Sequence, residues 1–319
     1  MRARRLSIEH GAEDRYPDAW LDGGTVEERA KRRFEVQFNA QLFALSAERI
    51  LRKEGVKIIY GASVAATRLD GGKITDVIIE GKGGREAVRI RSAVVDCTGD
   101  ADVCKLAGAK TANFEKGNKL ASWYYGLGDG KRKLYMCGVH DINDSENAVA
   151  FKNKNRFSGV ETDELSDMVQ LSRVEMMKDI LERKEKCPDF VPTSMATIPD
   201  VRMTRRLVGA YTQDEDEVGV RYPDTVGIFP NWKKRGPVYE LPFSALYGNE
   251  VKNLAAAGRC ISVTDKMWDI TRVIPVCAVS GEAAGAAAAM CSDFGSIDIK
   301  RLQEHLAERG VKLHNYLED

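Results

Sequence analysis

Arg202, Arg205 and Arg206 stand close together in the run Val201-Arg-Met-Thr-Arg-Arg-Leu-Val-Gly209. Guanidinium groups grip carboxylates through paired N–H donors, so so dense a cluster suits a clamp for an anion, and Arg272 can join it. The same charges also suit an exposed strand, or ion pairs with Asp200, Asp214 or Glu215, and residue types alone leave both open. His140, in Cys137-Gly-Val-His-Asp-Ile-Asn-Asp144, can donate or accept a proton, or simply hydrogen-bond within a loop beside Asp141. A further constellation works through the backbone. In Val94-Val-Asp-Cys-Thr-Gly-Asp-Ala-Asp-Val103 an apolar strand runs into Thr98-Gly99 and then into an acidic helix start. Gly99 lets the backbone approach a ligand, and the helix N-terminus presents free N–H groups to an anion or a polar chain. Asp100 and Asp102 equally fit as ordinary partners of that helix's dipole.

These residues need a scaffold, and the stretch from Leu254 to Met290 offers its densest part. Leu254–Ala257 reads as a short buried strand between Asn253 and Gly258. Pro275 suits the first turn of a helix beginning near Ile274. Along that helix Cys277, Gly281, Ala284, Gly285 and Ala288 share one face, which something can approach closely; tight packing on a sheet would use the same feature. A membrane span is rejected, because Glu282 interrupts the run and few residues in it are strongly apolar.

The rest of the chain supplies the other elements. A helix capped by Asn39, with Leu42, Phe43, Ala47, Ile50 and Leu51 as its apolar stripe, ends at Gly55. Val56–Tyr60 reads as a strand. Ser63–Leu69, Lys73–Glu80 and Glu86–Ile90 form a meander with turns at Gly71-Gly72 and Gly83-Gly84. Ala121–Leu127 and Lys133–Val139 read as strands about Gly128-Asp129-Gly130. Glu164–Glu185 is a helix with Leu165, Met168, Val169, Ser172, Met176 and Ile180 inward, and Ile299–Arg309 is the last helix.

Length and composition bound the function. A chain of 319 residues with 43% hydrophobic residues has room for about two domains. Its 48 basic residues balance 48 acidic ones, so no global field recruits nucleic acid or an anionic membrane. The seven cysteines include no Cys-x-x-Cys pair and none has a histidine at metal-ligand spacing. They read as reduced thiols, with no metal site. No apolar leader follows the basic opening Met1-Arg-Ala-Arg-Arg5, which points to a cytoplasmic protein.

Ala255-Ala-Ala-Gly-Arg-Cys-Ile-Ser262 with Arg272-Val-Ile-Pro-Val-Cys-Ala-Val-Ser-Gly-Glu-Ala-Ala-Gly285 resembles the C-terminal signature of a family of FAD-dependent oxidoreductases with a glutathione-reductase-like flavin fold. The Asp96–Asp102 run resembles a segment that lies beside FAD in that family, with Cys97 where alanine is usual. The resemblance implies an α/β fold. Residues 1–110 and 251–319 would form a partial FAD-binding parallel sheet with an antiparallel β-meander, and residues 111–250 an inserted α+β substrate domain. It implies FAD as cofactor, with Thr98, Gly99, Asp100, Gly258, Arg259, Val273 and Ile274 about it, and hydride transfer to or from a small organic substrate that Arg202, Arg205, Arg272 and His140 would serve. No Gly-x-Gly-x-x-Gly turn occurs in the chain. The nucleotide-binding strands would belong between Val56–Tyr60 and Ala93–Cys97, and without them the core has a gap. The expected partners are therefore a second copy or a companion nucleotide-binding subunit, besides the small-molecule substrate. The alternative is a flavin-free scaffold or interaction subunit.

Overall fold

The computed structural model describes Thr25, Glu27 and residues 40–137, 155–234 and 236–315. Asn39 and His140 lie outside the described residues. The chain divides into two compact units: one comprises the described parts of 1–63, 79–86 and 230–237, the other those of 64–78, 87–229 and 238–319.

Helix α1, Ala40–Lys53, ends as expected at Gly55, which takes φ +74° and returns the chain in the left-handed conformation open to glycine. Its apolar side chains are less buried than the sequence suggests: Leu45, Ile50 and Leu51 are exposed, and the buried residue is Ser46. Residues 56–60, expected as a strand, form none. The Val56 N–H, which a strand would offer to a neighbour, is taken by the Leu51 carbonyl (2.9 Å) in closing the helix. Ile59 and Tyr60 are exposed.

The meander follows as read: β1 (Ala62–Asp70), β2 (Lys73–Gly81) and β3 (Gly84–Arg89) form a sheet in the order β1-β2-β3. Its connections are of hairpin length, which confines neighbours to antiparallel pairing. Gly71 and Gly72 both take positive φ at the first turn. Strand β4, Val94–Asp96, then leads to the short helix α2, Asp102–Leu106.

In the middle of the chain β5 (Ser122–Gly128) pairs antiparallel with β6 (Lys131–Cys137). Helix α3, Thr162–Lys186, buries Met168, Ser172 and Met176, and β7 (Val191–Met195) completes the sheet in the order β7-β5-β6. Tyr124, on the face turned to α3, stacks on Tyr135 at 5.3 Å between ring centroids, and Phe190 meets both rings edge-on. Gly126 makes room for Phe190.

Strand β8, Leu254–Ala256, pairs parallel with β4 in the register Leu254↔Val94, Ala255↔Val95, Ala256↔Asp96. After it come α4 (Asp265–Thr271), α5 (Ile274–Met290) and α6 (Ile299–Glu308). Trp268 from α4, Val276, Ala283 and Ala287 from α5, and Leu302 and Leu306 from α6 are all buried in one core with Phe229, Tyr239, Phe243 and Phe294. Burying a large apolar side chain contributes about 1.5–3 kcal/mol, so these aromatic residues hold the helices onto the strands. No single described helix is long and apolar enough to cross a membrane; α4 and α5 reach that length only as a pair bent by 92°.

The packed face of α5 lies beside the small-residue face read from the sequence and shares Ala284 with it. Val276, Ser280, Ala283, Ala284 and Ala287 point inward, whereas a Cβ added to Gly281 or Gly285 would meet nothing within 4 Å. Sheet packing therefore does not use the glycines of the small-residue face, which stays open to close approach. The packed face buries Val276 and brings the Ser280 hydroxyl to the Gly258 N–H (2.9 Å).

A Cβ at Gly126 would lie 2.4 Å from Phe190 Cζ. Gly126→Val therefore forces the ring out of its place and is expected to destabilise the protein by about 1–3 kcal/mol, read as a lower urea midpoint with an unchanged slope.

Candidate functional site

The ends of the parallel strands β4 and β8 lie side by side, and the loops leaving them form the candidate site. Asp96, fully buried at the end of β4, organises the first loop. Its Oδ1 accepts from the Thr98 N–H (2.9 Å) and hydroxyl (2.7 Å), and its Oδ2 from the Cys104 N–H (2.9 Å). The Thr98 hydroxyl oxygen accepts in turn from the Asp102 N–H (3.0 Å). The carboxylate thus ties the strand, the Thr98-Gly99 turn and the first turn of α2 into one piece. Gly99 sits at φ +81°, and Ala101 takes φ +51°, a conformation uncommon outside glycine.

The second loop, Gly258–Cys260, starts at φ +78° on Gly258. Ser280 holds the Gly258 N–H, and a Cβ there would lie 3.6 Å from Cys277 Sγ, so this turn packs on the first turns of α5. Arg259 reaches across Gly99, with Nη2 2.8 Å from where a Cβ would stand. It pairs with Asp100 (2.8 Å), donates to the Arg202 carbonyl (3.0 Å), and has its own carbonyl bonded by Trp268 Nε1 (2.5 Å). Val273 precedes α5 without a side-chain cap, with Ile274 exposed beside it. Thr98, Gly99, Asp100, Gly258, Arg259, Val273 and Ile274 therefore belong to one corner of the second unit.

The arginine cluster does not act as one clamp. Arg205 and Arg206 are neighbours in the strand Arg205–Leu207, whose side chains alternate between faces, and they leave in different directions. Arg205 donates from Nε to the Asp100 carbonyl (3.0 Å) and from Nη2 to Asp102 (2.5 Å). Arg206 pairs with Asp265 (3.4 Å) and lies 5.5 Å from the Trp268 ring centroid. These acids differ from the expected Asp200, Asp214 and Glu215. They come from α2 and α4, which the fold, rather than sequence proximity, brings near.

Arg202 and Arg272 share a separate electrostatic neighbourhood. Arg272 pairs with the buried Asp269 (2.5 Å). Burial lowers the Arg202 guanidinium below its usual range against the support of Asp200, and burial raises the Asp200 carboxyl against the pull of Arg202 and Arg272. Burial likewise raises the Asp102 carboxyl, opposed by Arg205.

The thiols near this corner are free. Burial pushes the Cys260 thiol up to about 12 and also raises Cys97 and Cys277. All three are held as protonated thiols at neutral pH, which disfavours a thiolate nucleophile or metal ligand among them.

Asp96, Ser280 and Thr204 hold the loops of the candidate site in place and were not among the residues singled out from the sequence. Thr204 donates its hydroxyl to Asp100 (2.5 Å). An acid at the end of an apolar strand, with Thr two positions later, is the one local signal of the three, because aspartate in that position closes a turn on its own backbone.

The sequence model of the FAD-dependent oxidoreductases matches residues 5–188 and 129–306, so the chain belongs to the FAD-dependent oxidoreductase family. FAD is the cofactor of that family. No match is found among curated proteins. Among solved structures, similar chains include BexE, studied for oxidation during BE-7585A biosynthesis (12% identity, TM-score 0.44, covering 97% of this chain and 55% of that one). The myxobacterial chondrochloren halogenase CndH is another (11%, 0.40, 86% and 56%). A geranylgeranyl bacteriochlorophyll reductase-like protein from Thermoplasma acidophilum is a third (11%, 0.39, 88% and 65%). The chain spans between half and two thirds of the length of these structures.

Asp96→Ala leaves three donors without their acceptor. It is expected to cost about 2–3 kcal/mol in urea unfolding, whereas Asp96→Asn, which keeps one carbonyl oxygen, falls between it and the unaltered protein.

Proposed function

We propose that the protein is an FAD-dependent oxidoreductase acting on a small organic substrate, with the corner at the ends of β4 and β8 on the flavin side. The observation that carries this reading is the meeting of two positive-φ glycine turns, Gly99 and Gly258, with the uncapped start of α5. Such a corner is lined by backbone, allows close approach, and suits the many oxygens and the negative charge of FAD. Bound FAD would supply hydride transfer at its flavin ring.

The chain's own residues then have defined tasks. The start of α5, at Val273 and Ile274, favours negative charge beside it. Thr98, Gly99 and Asp100, fixed through Asp96, and Gly258 and Arg259 hold the remaining cofactor contacts. On the substrate side Arg202 and Arg272, which share the electrostatic neighbourhood of Asp200, would orient an anionic group. His140, outside the described residues, keeps its expected role in proton exchange.

A second reading, a flavin-free interaction subunit, draws on the Arg259 side chain, which lies over Gly99 in an ion pair with Asp100. Titrating FAD into the purified protein separates the two. The flavoenzyme reading expects saturable but weak binding, seen as a change in flavin fluorescence, because no glycine-rich phosphate turn is among the residues proposed to hold it. Gly99→Val is expected to reduce that affinity at least about tenfold through steric exclusion and backbone strain. Absence of binding, or indifference to Gly99→Val, favours the interaction subunit.

The proposed assembly rests on the sheet. Among the described residues β4 pairs only with β8, so its other edge is a template for a further strand, from a second copy or a companion nucleotide-binding polypeptide. Sedimentation of the pure protein is expected to show a dimer or larger species. A monomer that persists on concentration and gains no companion counts against this arrangement.

A further inference from the structure

Two free thiols that the proposed chemistry leaves unused lie on neighbouring elements of the corner. Cys97 follows β4 and is exposed, and Cys277 sits half-buried in the first turn of α5. Ala93 and Val95 pack against the core that α5 shares, and by the alternation of a strand Cys97 belongs to their face. At one end of this packing the Ser92 hydroxyl donates to the carbonyls of Ala288 (3.0 Å) and Cys291 (3.2 Å). From Ser92 to Cys97 the chain advances five residues as strand, about 16 Å, and from Ala288 back to Cys277 eleven residues as helix, again about 16 Å. Eleven residues are also about three turns, so Cys277 and Ala288 share one side of α5. The two cysteines therefore fall at the same level. The approach there is close: Cys277 Cβ lies 3.9 Å from where a Cβ on Gly258 would stand, and Ala257, just before it, donates its N–H to the Asp96 carbonyl (2.9 Å), just before Cys97. Cys277 is also among the groups that disfavour the Cys97 thiolate.

We propose that Cys97 and Cys277 are a reversible dithiol–disulfide pair, oxidised by exchange with a small organic disulfide. The exposed Cys97 loses its proton and attacks one sulfur of that disulfide, whose S–S bond breaks and releases one thiol. Cys277, whose ionised form Arg259 favours, then attacks the Cys97 sulfur and releases the second thiol. Two protein thiols are oxidised, one small disulfide is reduced, and the two protons leave on the two released thiols. The resulting bridge ties the strand that leads to the Gly99 turn to the helix that packs on the Gly258 turn, so the corner carries a redox-dependent cross-link whether or not the chain is a flavoenzyme.

The probe is bis(2-hydroxyethyl) disulfide, added to the full chain without oxygen, with the reaction stopped in acid and the protein digested without reduction. The expected product is a pair of peptides joined through Cys97 and Cys277, which dithiothreitol separates. Burial keeps both thiols protonated at neutral pH, so the rate of cross-linking is expected to rise about tenfold per pH unit between roughly pH 7 and pH 9. Cys277→Ala is expected to stop the reaction at a mixed disulfide on Cys97, and Cys97→Ala to remove both products. In the unaltered protein, a mixed disulfide on Cys97 without the joined peptides, a bridge from Cys97 to the buried Cys260 instead, or no reaction at Cys97 and Cys277 overturns the inference.

Discussion

The corner depends on one buried carboxylate. Asp96 loses its water on folding, an unfavourable change that becomes tolerable only because Thr98 and Cys104 supply three donors within hydrogen-bond reach. Those donors sit on both sides of Gly99 in sequence, so satisfying the charge also fixes the loop. The position of Asp100 follows from the same bonds, and with it the places of Arg259 and Thr204, which both bond to the Asp100 carboxylate.

Around this point positive charge is distributed rather than concentrated. Arg205, Arg206, Arg259 and Arg272 each have an acidic partner, and two of those acids, Asp100 and Asp102, lie in the loop that Asp96 organises. Partly buried guanidinium groups need such partners, because removing either member would leave a charge without compensation. Arg202 is different in degree: burial works against its charge, and Asp200, which supports it, is itself disfavoured as an anion. The surroundings of Arg202 and Arg272 thus combine cations with a weakly supported acid.

Much of this was legible in the sequence where local chemistry is strong. The glycine turns of the meander, the inward methionines of α3, Pro275 at the start of α5 and Gly55 after α1 each carry a backbone or periodicity signal that survives tertiary context. The packed face of α5 was not legible, because every residue from Ala283 to Ala289 is alanine or glycine and the pattern has no amphipathic contrast. Val56–Tyr60 misled for another reason: an apolar run has strand propensity, but a strand also needs a partner's hydrogen bonds. The arginine pairings could not be read locally, since Arg205 meets an acid 103 positions away. The corner itself was marked by its glycines and family signature, while Asp96 looked like one acid among several.

Ala101 has a consequence for how any ligand meets this corner. It holds the left-handed backbone at φ +51° with no exposed surface, a conformation that costs a residue bearing a Cβ about 1 kcal/mol. The loop holds that shape through its own hydrogen bonds, those of Asp96 with Thr98 and Cys104 and of Thr98 with Asp102. An incoming molecule would meet a surface already in its final geometry, so little of its binding free energy would be lost to restricting the chain, and discrimination would rest on shape as much as on charge.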